Sequence, residues 1–195
     1  MSSLLKILKD FFQREKIITV YEVPSSVEGD PYIRVPEFAD QDPRTVRLDR
    51  ETGELITLWE EKMRYPYKTT VFSELHIKTS KRDIIIRLLL DDGAFFWNGS
   101  NILPCLWSII GISKHSPEGL QASKWHDMLL YKRKEYYAEF KKKDPSIKPY
   151  EFRRLTSLIF RQLLINNGVG VLKASVMSWF VDQWQKLRFI FIPVA

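Results

Sequence analysis

The sequence predicts an α+β protein with an N-terminal helix, an antiparallel β meander and a C-terminal bundle of three to four helices. Short β-branched and aromatic runs, separated by Pro, Gly and Asp, fill residues 17–90, whereas apolar residues recur near the helical period after residue 116. Of the 195 residues, 45% are apolar, which is enough for one sizeable core. We therefore expect one compact domain with a helix at 1–16, a β-rich part at 17–95 and a helical part at 96–195.

The N-terminal segment 3–15 predicts a short amphipathic helix. Leu4, Leu8 and Phe11 fall on one line of such a helix, while Lys6 and Lys9 face away from it. Its apolar stripe can dock on the same domain, on a membrane surface or in a groove of a partner protein.

The β-rich part contains six predicted strands, at about 17–23, 32–36, 45–49, 54–59, 70–78 and 83–90. The third and fourth form a hairpin whose turn is Glu51-Thr-Gly53, because Gly53 is free to take a positive φ. Residues 60–68 are predicted as a loop, and so are residues 91–104. The run 83–90 is apolar on both faces except at Arg87, which favours a central strand.

The helical part contains a short predicted helix at 106–111 and three longer ones at about 119–140, 150–166 and 170–187. Proline at the start of the second and Asn166-Asn-Gly168 at its end are typical helix boundaries. The apolar tail 188–195 is predicted to extend as a strand that pairs with a sheet edge in the same protein or in a neighbour. No predicted helix is apolar over enough residues to span a membrane, and no secretory signal is visible.

Basic residues are concentrated in one segment of the chain. The formal net charge is +6, and residues 132–154 hold nine basic against four acidic side chains. The nine basic residues are Lys132, Arg133, Lys134, Lys141, Lys142, Lys143, Lys148, Arg153 and Arg154. Such a segment can bind a polyanion or an acidic face of a partner protein, or it can simply face water.

The pair His126-Asp127 lies within the predicted helix 119–140, which has apolar residues at 120, 125, 128, 129, 136, 137 and 140. A titratable pair beside an apolar face has two interpretations. It can consist of hydrogen-bonded structural residues, because polar groups near a core are normally satisfied. Alternatively, the imidazole can act as a general base.

The order of motifs after residue 97 resembles a family of bacteriophage and bacterial proteins of unknown function. Members show Asp-Gly-Ala-Ser-x-Pro, then His-Asp-Tyr-Leu-Tyr, then Ala-Asp-x-x-Phe. The matching stretches here are Asn98-Gly-Ser-Asn-Ile-Leu-Pro104, His126-Asp-Met-Leu-Leu-Tyr131 and Thr156-Ser-Leu-Ile-Phe160. The match covers about half the chain, and the acidic positions of the first and third motifs carry Asn98 and Ser157. The resemblance implies a phage origin.

The His-Asp pair is also similar to the active-site helix of secretory and parvoviral phospholipases. That resemblance implies His126 as the base, Asp127 as a calcium ligand and the loop Asn98, Gly99 and Ser100 as the source of further oxygen ligands. In those enzymes a distant aspartate orients the histidine, and Ser157 stands at the position where we expect it.

These observations predict a bacteriophage structural or accessory virion protein, located in the virion or the host cytoplasm. It acts by contact with other virion proteins or sister subunits and uses no cofactor or metal. The alternative is a phospholipase-like or cell-wall hydrolase, with or without Ca²⁺, that uses His126 and Asp127 in entry or lysis. Binding of nucleic acid through 132–154 is a third possibility. The single Cys105 excludes an internal disulfide.

Overall fold

A computed structural model describes residues 17–24, 33–34, 46–48, 55–57, 67–69, 72–90, 93, 95–97 and 117–191, with side chains described as far as residue 186. The described strands are β1 (Ile17–Pro24), β2 (Ile33–Arg34), β3 (Val46–Leu48), β4 (Leu55–Thr57), β5 (Tyr67–Thr69), β6 (Ser73–Thr79), β7 (Asp83–Arg87) and β8 (Phe95–Trp97). The described helices are α1 (Pro117–Tyr131), α2 (Arg133–Lys143), α3 (Pro149–Asn166) and α4 (Val171–Phe191). This arrangement confirms the predicted α+β class.

All described strand pairs are antiparallel, and they form three sheets. The largest has the order β1-β6-β7, the second has the order β2-β5-β8, and β3 pairs with β4. The strands of the predicted hairpin are confirmed by the pairing of Leu48 with Leu55, and its turn lies outside the described residues. Because β1 pairs with β6, which is distant in sequence, the largest sheet is closed by a long-range contact and differs from a simple meander.

The predictions for one strand and two loops were wrong. Among the described strands β7 pairs with β6 alone, and β6 is the central strand of this sheet. The reason is that β7 alternates, with Ile84 and Ile86 buried and Ile85 47% exposed. The predicted loop regions at 60–68 and 91–104 contain the strands β5 and β8, which are only three residues long and pair with each other.

The first long helix is interrupted at Lys132, where a single helix over 119–140 was expected. Lys132 has φ −94° and ψ 35°, yet its N–H still reaches the carbonyl of Met128 at 2.9 Å and its own carbonyl accepts from Tyr136 at 3.0 Å. The hydrogen-bond ladder therefore continues through a change of direction. The apolar positions of the predicted helix lie on its inner side as expected, with Trp125, Met128 and Phe140 fully buried.

Helix α3 begins and ends where the sequence predicted. Pro149 is its first residue, and the carboxylate of Glu151 accepts from the backbone N–H of Lys148 at 3.0 Å. Gly168 has φ +89°, which allows the N–H of Val169 to reach the carbonyl of Leu164 at 3.0 Å.

Helix α4 runs to Phe191, so the prediction that the tail becomes a strand from residue 188 was wrong as far as residue 191. The backbone N–H and C=O groups of these residues already form hydrogen bonds within the helix, so they are not available to pair with a sheet edge. The predicted N-terminal helix, the short helix 106–111, and residues 192–195 lie outside the described residues. Among the described helices none is long and apolar enough to cross a membrane.

The core lies between the inner face of the β1-β6-β7 sheet and the helices. The sheet contributes Val20, Leu75, Ile77, Ile84 and Ile86, all at most 2% exposed. Helix α3 packs against β1, and the side chain of Asn166 at its end donates to the carbonyl of Val20 at 2.5 Å. The helices are thereby fixed against the first strand.

Candidate functional sites

His126 belongs to a polar cluster at the junction of α1, α3 and α4. Its Nδ1 lies 3.2 Å from Oδ1 of Asp127, and its Nε2 lies 2.6 Å from the amide nitrogen of Gln185 on α4. The side chain of His126 is 13% exposed and that of Asp127 is 26% exposed. The cluster therefore lies at the edge of the core and has access to water on the Asp127 side.

Both ring nitrogens of His126 are used inside the protein. The simplest assignment gives Nδ1 the proton, which it donates to Asp127, while Nε2 accepts from the amide of Gln185. If the amide of Gln185 is turned round, Nε2 must donate to its oxygen instead, and the nitrogen is still occupied. A general base needs a free lone pair that points at the proton it removes. The arrangement leaves His126 without one.

The rest of the cluster continues from Gln185 into the interior. The hydroxyl of Thr156 on α3 lies 3.2 Å from Oε1 of Gln185 and 2.7 Å from the carbonyl of Arg153. Arg153 donates through Nη1 to both the carboxylate and the backbone carbonyl of Asp182, which is 1% exposed. Residues from three helices are thus joined by one chain of hydrogen bonds, and this joins α1 and α3 to α4.

The remaining parts of the predicted phospholipase-like site are not assembled by the described residues. Asn98, Gly99 and Ser100 lie outside them. Ser157, where we expected an orienting acid, lies within α3, and its backbone carbonyl accepts from the hydroxyl of Ser178 at 2.7 Å. Within the described part of the chain, no three His, Cys, Asp or Glu side chains are grouped so as to hold a metal ion.

A second buried polar contact joins α1 to β1. Nζ of Lys124 lies 2.5 Å from Oε1 of Glu22, and the amide of Gln121 donates to Oε2 of the same carboxylate at 3.0 Å. Burial lowers the pKa of Lys124, and Glu22 opposes that shift in part. For Glu22, burial acts to raise the pKa, but the charge and hydrogen bonds of Lys124 outweigh it and lower the pKa overall.

The basic segment 132–154 divides between the surface and the interior. Arg153 is 8% exposed and paired with Asp182, so it does not belong to a surface patch. Arg154 is also half-buried, as are Lys132 and Arg133, and Lys132 lies over the ring of Tyr131. The exposed members are Lys134, Lys141, Lys142, Lys143 and Lys148. The exposed basic patch therefore contains fewer residues than the nine that the sequence predicted.

Two of these exposed lysines line the same groove as a third lysine from a distant part of the sequence. Lys143 and Lys148, in the linker between α2 and α3, line a groove of about 510 Å³ together with Lys81 from the β6–β7 turn. We call these three residues the cationic corner. The groove is also lined by Arg82, Asp83, Ile84, Asp144, Pro145, Ser146, Tyr150 and Glu151. No carboxylate of the described residues lies within 4.0 Å of an ammonium group of the cationic corner.

The cationic corner is held in place by Arg82 and Asp144. Nε of Arg82 donates to Oδ2 of Asp144 at 2.6 Å, and its Nη2 lies 3.7 Å from Glu151. Hydrogen bonds from Ser146 and then Arg82 hold the pKa of Asp144 below its usual range. Two of the three acidic side chains in the groove, Asp144 and Glu151, are therefore paired with Arg82, whereas Asp83 is exposed beside the three lysines.

Sequence reasoning missed Gln185, Thr156, Asp182, Glu22, Lys124 and Lys81. A usable signal existed for the first three, because Arg153 and Thr156 on α3, and Asp182 and Gln185 on α4, are polar pairs spaced three residues apart within helices that bury apolar side chains. No comparable signal connects Lys81 with Lys143, because 62 residues separate them. Searches with this chain match no protein-family model, no curated protein and no solved structure.

Proposed function

We propose that this protein is a non-catalytic contact protein whose cationic corner binds an acidic face of another protein. In the setting that the motif resemblance implies, that protein is another component of a bacteriophage particle, and the chain is located in the virion or in the host cytoplasm. The observation that carries the proposal is the grouping of Lys81, Lys143 and Lys148 at one groove. The use of both ring nitrogens of His126 inside the protein supports a structural role for that residue. The only predicted catalytic residues thus have a structural explanation.

Surface charge supports contact with an acidic partner. The cationic corner brings Lys81, Lys143 and Lys148 to one groove, and its supporting ion pairs fix the turn and the linker that carry them. Because that backbone is already ordered, little conformational entropy is lost there on binding. Charge of this kind speeds encounter with an acidic surface and weakens with salt.

A labelled oligoglutamate peptide tests the cationic corner. We expect the native protein to raise its fluorescence anisotropy at low ionic strength and to lose most of that binding at about 0.15 M salt, where the screening length is about 8 Å. Changing Lys81, Lys143 and Lys148 together to Gln is expected to weaken binding at low salt about tenfold, because each exposed charge contributes up to about 1 kcal/mol.

The matched control changes Lys134, Lys141 and Lys142 to Gln, which removes the same charge from the outer side of α2. An equal loss in the two triple variants would mean that only the overall charge matters and would contradict a specific cationic corner. Tighter binding of single-stranded DNA than of oligoglutamate would favour a nucleic-acid partner instead. Detection of the chain in purified mature particles tests the virion setting, and detection in infected-cell lysate alone would favour a role in lysis.

A further inference from the structure

The outer face of the β1-β6-β7 sheet is a regular grid of nine side chains. Strand pairing aligns them in three rows, and in each row one residue comes from each strand. The first row is Thr19, Lys78 and Asp83, the middle row is Tyr21, His76 and Ile85, and the third row is Val23, Glu74 and Arg87. All nine are exposed or partly exposed. This face lies on the side of the sheet opposite to the core.

The centre of the grid consists of two aromatic rings and an aliphatic side chain. The rings of Tyr21 and His76 stack with centroids 4.8 Å apart, and the Tyr21 hydroxyl lies 3.3 Å from Nδ1 of His76. Beside them Ile85 is 47% exposed and Tyr21 is 50% exposed. Val23 is also exposed, so three of the large apolar side chains that the described surface exposes lie on this face. Apolar side chains surrounded by charged ones are typical of a protein interface.

The charged residues of the first and third rows indicate which molecule can bind this face. In the first row Lys78 lies next to Asp83, and in the third row Glu74 lies next to Arg87, whose Nε is 2.9 Å from its carboxylate. A second copy can stack on this face about a two-fold axis that runs along the middle row. Each strand then lies antiparallel to the same strand of the second copy, and the first row of one copy faces the third row of the other. Lys78 then faces Glu74 of the second copy, and Asp83 faces Arg87 of the second copy.

We propose that this sheet face forms a symmetric dimer with a second copy of the chain, about a two-fold axis along Tyr21, His76 and Ile85. All four charged contacts across the interface are then between opposite charges. A two-fold axis along β6 would instead place Lys78 against Lys78 and Glu74 against Glu74. The four charged residues of the face sum to zero, so a protein with a net charge of +6 can associate here without bringing its excess charge together.

The size of the face predicts a weak dimer. Three strands spaced about 4.8 Å apart, with five to eight residues each, cover about 300 Å² per copy. Stable interfaces bury about 800 Å² per partner, so association is expected at high protein concentration. The face shares Asp83 with the groove of the cationic corner. The variant E74K/R87E leaves that groove unchanged, so it can contradict this proposal without bearing on the proposed function.

Two charge-reversed variants test the pairing directly. The first is K78E/D83K and the second is E74K/R87E. Each preserves opposite charges between neighbouring strands of its own sheet, and each places like charges against a second copy of itself. A mixture of the two variants, by contrast, restores all four opposite pairs across the interface.

Sedimentation velocity over roughly 10 µM to 1 mM protein measures the outcome. We expect the native chain to dimerise, each variant alone to dimerise at least tenfold more weakly, and an equal mixture of the two to recover the native affinity. The quadruple variant should also dimerise like the native chain. Circular dichroism confirms that each variant is folded. A native chain that stays monomeric would overturn the proposal, and so would variants that self-associate as well as the native chain, because another surface would then hold the copies together.

Discussion

Nε2 of His126 on α1 lies 2.6 Å from the amide nitrogen of Gln185 on α4, so a histidine for which the sequence allowed a structural or a catalytic role connects two helices. Because Gln185 also lies within hydrogen-bonding distance of Thr156, the imidazole is the outer end of a chain of polar contacts that reaches the Arg153–Asp182 ion pair. A chain of this kind is satisfied only when the helices are correctly aligned, so it favours one packing over others.

Replacing His126 by Ala is expected to lower the free energy of unfolding by about 1–3 kcal/mol. The change leaves the amide of Gln185 without its partner, and an unsatisfied buried polar group has a cost of this size. Urea unfolding at neutral pH measures the loss. Q185A should cause a similar loss, and the double variant should lose less than the sum, because the two residues share one contact. Unchanged stability together with a lost hydrolytic activity would instead support the hydrolase alternative.

The helices were predictable from the sequence because their apolar side chains recur at the helical period, and Phe152, Leu155 and Ile159 are all buried as that period requires. The bend at Lys132 was not predictable. Neither Gly nor Pro marks it, and the hydrogen-bond ladder passes through it. Local sequence reports which residues prefer a helix, whereas packing against the sheet and α3 determines the path of its axis.

Strand order was harder to predict because it depends on contacts between distant residues. Strand β1 pairs with β6, where Tyr21 is aligned with His76, and nothing in either segment specifies the other. The exposure of Ile85 had no local signal either, since Ile84, Ile85 and Ile86 are identical in type. The cationic corner was hard to predict for the same reason, because only the fold brings the β6–β7 turn and the α2–α3 linker together.

The Glu22–Lys124 pair makes stability depend on pH in the acid range. The folded-state pKa of Glu22 lies below its ordinary value of 4.5, so its contribution to stability is complete above that pH and is lost as the pH falls through the folded-state pKa. We expect the native chain to lose stability more steeply than E22Q/K124M below about pH 4.5. Thermal unfolding at a series of pH values measures the difference between the two, and equal slopes would contradict it.

We expect the removal of Lys124 alone to lower the free energy of unfolding more than the removal of both Lys124 and Glu22. K124M leaves the carboxylate of Glu22 buried without its opposite charge, and breaking a buried ion pair in this way typically costs about 3–5 kcal/mol. The double variant E22L/K124M removes both charges and should recover much of that loss. If K124M and the double variant were equally destabilised, the loss would come from packing rather than charge.

The hydroxyl of Tyr136 occupies the outer edge of the sheet immediately after β7. It donates to the carbonyl of Arg87 at 2.7 Å and accepts from the N–H of Leu89 at 3.1 Å, while the ring is fully buried in the core. A strand edge carries backbone groups that need partners. The hydroxyl of Tyr136, on α2, thus provides the hydrogen-bond partners that a neighbouring strand would otherwise provide. Burial raises the pKa of this hydroxyl well above the usual value, which keeps the group protonated.

Y136F tests this interpretation with minimal change in packing. The phenyl ring keeps the apolar contacts, but the carbonyl of Arg87 and the N–H of Leu89 both lose their partner, and each unsatisfied buried group costs about 1–3 kcal/mol. We expect a lower free energy of unfolding and a faster hydrogen exchange at the Leu89 amide, while amides of β6 change only in proportion to global stability. Y137F is the control, because Tyr137 bonds to Ile147 at the far end of α2. Exchange at Leu89 that is equally fast in both variants would contradict the role of Tyr136.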